Sequence, residues 1–127
     1  MSDWKYFTEE ELRCSGTGDC HMDKSFMKKL NRLREDYNKP MIVSSGYRDI
    51  SYNTAIGGSP DSAHTYGRAV DVVVGGVEAY LLLRLAVIHG FKGIGVSQRG
   101  NFERRFLHLD MMDDSDKHPR PWIWSYK

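Results

Sequence analysis

Ser62-Ala63-His64-Thr65-Tyr66-Gly67-Arg68-Ala69-Val70-Asp71 is the stretch from which the rest of the chain is read. It sets a histidine at the end of a polar loop and an aspartate on a strand predicted over 69–74, with Gly67 free to turn tightly between them. Asp71 is the oddity. It sits among Ala69, Val70, Val72, Val73 and Val74, where an unpaired carboxylate facing a core carries a large desolvation cost. A bound cation offsets that cost by supplying a charge partner. A second stretch, Phe106-Leu107-His108-Leu109-Asp110, reads as another strand. Period-two alternation puts Phe106, His108 and Asp110 on one face and Leu107, Leu109 and Met111 on the other. His64, Asp71 and His108 together match the ligand count of a catalytic zinc site, which keeps its fourth position for water. The alternative is a loop histidine and a core histidine satisfied by hydrogen bonds, and spacing alone leaves both readings open.

Outward from there, Gly57-Gly58-Ser59-Pro60-Asp61-Ser62 is turn chemistry, and the segment 46–67 is long for a passive loop. Thr8 and Glu11 form a capping box for a short first helix, with Phe7 placed to pack behind it. Asp23 is the N-cap of a helix predicted over 24–37, where Phe26, Leu30, Leu33 and Tyr37 form one apolar stripe. Pro40 excludes helix, and Met41-Ile42-Val43 reads as a short buried strand. A helix is predicted over 77–89, closed by Gly90. Strands over 92–97 and 103–111 follow, joined through Gln98-Arg99-Gly100-Asn101. Pro119-Arg120-Pro121-Trp122-Ile123-Trp124 reads as an irregular tail or edge strand packing its aromatics on the body. This order predicts an α+β fold with a small, largely antiparallel sheet and flanking helices, in one domain spanning 1–127.

A net charge of +1 gives no basic excess for nucleic acid, and Lys28, Lys29, Arg32 and Arg34 read as the solvated face of a helix. The apolar run from Tyr80 to Ile88 is broken by Arg84 and is too short to span a bilayer. Met1-Ser2-Asp3-Trp4-Lys5-Tyr6-Phe7 lacks the pattern of a signal peptide, so synthesis in a cytoplasm is expected. Cys14 and Cys20, with His21 adjacent, are expected as free or buried thiols rather than a disulfide or half a metal site.

Ser62-Ala63-His64-x-x-Gly67-Arg68-Ala69-x-Asp71 resembles the S-x-H-x-x-G-x-A-x-D motif of the zinc D-Ala-D-Ala carboxypeptidases, which share a superfamily with phage endolysin peptidases and the hedgehog domain. Ser45-Gly46-Tyr47-Arg48, Asn53 with Ile56-Gly57-Gly58, Gly93-Ile94-Gly95-Val96, Phe106-Leu107-His108-Leu109-Asp110 and the closing Trp124-Ser125-Tyr126 also match that family's segments. The resemblance covers about Phe7 to Tyr126. It implies a hedgehog/D-Ala-D-Ala peptidase-like fold holding one Zn2+ per chain on His64, Asp71 and His108, with peptidoglycan peptides as substrate. It also implies that Arg48 holds and polarises substrate, with a guanidinium fork suited to a carboxylate, and that Ser62 positions substrate or the loop. The general base departs from the pattern. Relatives place Glu or Asp three residues before the last zinc histidine, or His two before. Here those positions hold Arg105 and Phe106, and neither accepts a proton from water. Asp110 is the nearest carboxylate, either as base or as the group orienting His108 from behind, and Glu103 is more remote. Three activities are therefore carried forward: D-Ala-D-Ala carboxypeptidase, endopeptidase at L-Ala-D-Glu or a cross-link, and a zinc-containing binding module without turnover. A monomer acting on the wall after phage-type release, or by an unrecognised export route, completes the expectation.

Overall fold

The computed structural model describes residues 4–126; the outermost residues of the expected 1–127 domain, including Met1-Ser2-Asp3 of the leader reading, lie outside it. Helix α1 (Glu9–Leu12) carries the expected capping box: Thr8 accepts from the Glu11 amide and Glu11 accepts from the Thr8 amide. Phe7 is buried behind it. Helix α2 (Lys24–Tyr37) is capped by Asp23, whose carboxylate accepts from the Phe26 amide at 2.9 Å, and buries Phe26, Met27, Leu30, Leu33 and Tyr37. Lys28 and Arg32 lie on its exposed side. Then come β1 (Ile42–Ser45), α3 (Ile50–Ala55), a 3₁₀ turn (Ala63–Tyr66), β2 (Ala69–Val73), α4 (Gly76–Ile88), β3 (Gly93–Ser97), a 3₁₀ turn (Phe102–Arg104), β4 (Phe106–Asp110) and β5 (Trp122–Ser125).

The five strands form one sheet in the order β1-β2-β4-β3-β5, antiparallel except for the parallel β3–β5 pair at one edge. The fold is α+β. One sheet face carries Val70, Val72, Ile94, Leu107 and Leu109, which join α2 and α4 residues in a single core cluster. The opposite face carries a row across all five strands, with Ser45, Asp71, His108, Gly95 and Trp124 in register. The next row includes Ala69, Asp110, Gly93 and Trp122. The alternation therefore assigns hydrophobic residues to the helix-covered face and the chemistry to the other.

Two stretches depart most from the sequence reading. The segment 46–67 is not continuous loop, since it contains α3 and a 3₁₀ turn. Helix α3 has six residues and buries only Asn53, so it leaves no apolar stripe to detect. Its N-cap Asp49 makes no capping bond, because its carboxylate is taken by Tyr47 Oη (2.7 Å) and Thr17 Oγ1. Strand β4 starts at Phe106 rather than 103, because Arg105 N bonds Phe102 O and Arg104 N bonds Asn101 O in a turn. The C-terminal segment is the edge strand of the two forms expected. Cys14 and Cys20 are both free thiols, Cys14 accepting from the Asp49 amide. No described helix is long and apolar enough to cross a membrane.

Candidate metal centre

His64 reaches the site from the 3₁₀ turn. Ser62 caps that turn through its hydroxyl, which accepts from the His64 amide at 3.3 Å, and Gly67 ends it at φ 69°. A side chain at Gly67 would also strike the His21 carbonyl, so both backbone and space demand glycine there. The His64 ring is fixed by Nδ1–H donating to Gly46 O at 2.7 Å, which leaves the Nε2 lone pair facing Asp71 Oδ1 at 3.2 Å. His108 uses the opposite nitrogens. Its Nε2–H donates to Asp110 Oδ2 at 2.6 Å, and Nδ1 faces the same Asp71 Oδ1 at 3.1 Å. All three side chains are buried.

Three acceptors thus converge, each imidazole being committed through its other nitrogen to a donor role elsewhere. His64, Asp71 and His108 offer ligand atoms within 4.8 Å of one another. Tetrahedral ligands on a zinc ion with bonds of about 2.0–2.2 Å stand about 3.3–3.5 Å apart, so the two imidazole–carboxylate spacings of 3.2 and 3.1 Å need little adjustment. Two nitrogens and one carboxylate oxygen also form the donor set zinc accepts. The residues fit the ion. Electrostatics agree with a site built for a cation: burial alone would raise the Asp71 carboxyl, but His64 and His108 outweigh it and hold it below the usual range. For His108, burial opposes the charged ring, yet Asp110 and Asp71 prevail and raise its proton affinity.

The other predicted residues are placed around this centre. Arg48 donates through Nε to Ser45 Oγ (3.2 Å) and through Nη1 to Asn53 Oδ1 (3.1 Å), and its Nη2 lies 3.8 Å from Asp71 Oδ2. Asn53 is itself buried and donates to Ser59 O at 3.0 Å, tying the arginine to the 57–62 loop. Ser62 lines the groove as well as capping the turn. Asp110 lies behind His108, wholly buried, with both oxygens engaged: Oδ2 by His108 and Arg120 Nη2 (2.8 Å), Oδ1 by Arg120 Nε (2.9 Å) and the Met112 amide (3.2 Å). Glu103 is exposed in the 3₁₀ turn and Arg105 donates to Gly100 O; neither lines the groove.

The groove over the centre is open and about 470 Å³ in volume, within the range of small-ligand sites. One rim is the 57–62 loop, which is bound to the C-terminal segment by Lys117–Asp61 (3.3 Å) and by His118 Nε2–H donating to Asp61 O (2.5 Å). The other rim brings Phe106, Trp124 and Tyr126 together. Two site residues escaped the sequence reading. Asn53 was seen only as part of a motif. The sequence places Arg120 in the C-terminal tail with no role in the site, although an arginine between two prolines, in a chain with a second aspartate on a core strand, is a usable signal.

The Peptidase M15 family matches residues 5–110 of the chain. Over 69 residues, 54% of its length, the chain is 36% identical to a zinc D-Ala-D-Ala carboxypeptidase of Streptomyces albus G, and those residues are 27% of that protein. With the three acceptors and the α+β sheet as the geometry behind that match, this chain belongs to the Peptidase M15 family, whose members are zinc-dependent peptidases.

Proposed function

We propose that the chain is a zinc peptidase acting on peptidoglycan stem peptides, and that its reaction is removal of the terminal residue from D-Ala-D-Ala ends. The convergence of His64, Asp71 and His108 on one point, beneath an open groove, carries the reading. Zinc held there would supply Lewis-acid polarisation of the scissile carbonyl and activation of water. The chain's own residues do the rest. Arg48, oriented by Ser45, Asn53 and Asp71, presents its remaining donors to the groove, where a substrate carboxylate or carbonyl oxygen can be clamped. Ser62 holds the turn that delivers His64 and adds a hydroxyl to the groove wall. Asp110 acts from behind the ring rather than as base, because both of its oxygens are engaged away from solvent. The name of the Streptomyces relative favours carboxypeptidase action over endopeptidase action at L-Ala-D-Glu or a cross-link.

A second reading has its own observation. Among the described residues the groove offers no carboxylate beyond Asp61, Asp71 and Asp110, and Arg105 and Phe106 stand where proton acceptors are expected. That supports a zinc-containing module that binds wall peptides without cutting them. Digestion of purified peptidoglycan, with mass analysis of the products, separates the readings. Loss of one D-Ala per stem, abolished by chelation and restored by zinc, supports the carboxypeptidase. Another released fragment moves the assignment to endopeptidase. No release from walls of several chemistries, with zinc bound, leaves the binding module.

A further inference from the structure

The C-terminal segment after β4 does more than close the groove. Arg120 is nearly enclosed, with 7% of its side chain exposed, and grips the fully buried Asp110 through two parallel bonds, Nε to Oδ1 (2.9 Å) and Nη2 to Oδ2 (2.8 Å). That fork–fork geometry fixes the carboxylate plane as well as its charge. Asp110 in turn takes the Nε2–H of His108 at 2.6 Å, which sets the direction of the Nδ1 lone pair. The arginine is itself locked: its amide donates to Asp114 Oδ1 (2.9 Å), Nη1 donates to Pro119 O (2.8 Å), and its Cζ lies 5.3 Å from the Trp124 ring centroid. Trp124 then stands 5.1 Å from the His108 ring, bracing it from the side. Space for the arrangement comes from Gly93, where any Cβ would collide with the Asp110 carboxylate.

We propose that Arg120 is a positioning residue for the metal ligand His108, acting through Asp110, so that the C-terminal segment is part of the metal centre. The inference rests on the zinc reading of the site. It goes beyond the family match, which stops at residue 110, ten residues before the arginine. A ligand histidine aimed by a carboxylate gains ring orientation and basicity. Here that carboxylate is completely buried and needs its own counter-charge, and the chain supplies it from the far side of a loop.

The test measures zinc affinity by chelator competition, and the visible spectrum of the cobalt-substituted protein, for wild type, Arg120→Met, Arg120→Lys, Asp110→Asn and the Asp110→Asn/Arg120→Met double variant. Arg120→Met is expected to weaken zinc by about 10- to 100-fold and to shift the cobalt bands, with lysine restoring part of the loss. The double variant should bind no more weakly than the weaker single, because the two residues act as one unit. If Arg120→Met proves unable to fold, the double variant, which removes both buried charges together, still reports. Affinity within twofold of wild type and an unshifted cobalt spectrum, in Arg120→Met or in the double variant, overturns the inference. So do strictly additive losses. Wild-type protein that binds no zinc overturns the metal centre itself, and is distinguishable because it fails before any variant is compared.

Discussion

At the residue scale the centre depends on which nitrogen each histidine presents. His64 offers Nε2 because Gly46 O takes its Nδ1–H, and His108 offers Nδ1 because Asp110 takes its Nε2–H. The carboxylates that aim His108 also raise its affinity for a proton, against the opposing effect of burial. A protonated ring cannot ligate, so protons compete with zinc at a higher pH than an ordinary histidine, near 6.5, would allow. Zinc affinity is therefore predicted to begin falling, as pH is lowered, while still above the ordinary histidine value of 6.5, by roughly tenfold per unit once His108 titrates. Chelator competition at a series of pH values checks this, and a flat profile down to that value would count against the assigned role of His108.

At the scale of elements, β3 makes the site possible by what it lacks. Gly93 and Gly95 face the chemistry, opposite Asp110 and His108, and their missing side chains admit the Asp110 carboxylate and the rings of Trp124 and Tyr126. Gly93→Ala is predicted to destabilise the fold by about 1–3 kcal/mol and to weaken zinc binding, since His108 and Arg120 hold the carboxylate in place. Denaturant unfolding with and without zinc measures both effects, and a neutral substitution would refute the packing argument. Much at this scale was legible beforehand. The stripe of α2, its Asp23 cap and the face alternation of β4 follow local rules that the packing reinforces. Helix α3 was not legible, because its length and lone buried Asn53 leave no periodic signal. Nor was the Arg120–Asp110 pair, a contact between side chains set by how a ten-residue excursion returns to the sheet. The ligand residues were visible singly, but their convergence depends on β2 and β4 lying side by side in register.

Across the whole molecule, one sheet separates two environments: a helix-covered apolar core and a polar groove whose aromatic rim comes from the C-terminus. Two tyrosines report on how firmly the parts around the groove are held. Burial, reinforced by its bond to Asp49, pushes Tyr47 up to about 12; Tyr126 shifts in the same direction, but at 37% exposure solvent screens its contribution. The fold thus favours the neutral phenol. Stability from these groups is fully present below the unfolded value near 10 and is lost as pH rises from there through about 12. Unfolding midpoints are predicted to decline over that alkaline window, less steeply in Tyr47→Phe. An equal slope in the variant would show that Tyr47 is not the source.

Everything proposed for this chain depends on zinc being held by two imidazoles and a carboxylate. X-ray absorption at the zinc edge, on purified protein of known metal content, tests it most directly. One zinc per chain, with nitrogen and oxygen neighbours and a signal for two imidazoles that is lost in His108→Ala, is the predicted result. Absence of zinc, or a first shell containing sulfur from Cys14 or Cys20, would contradict the account.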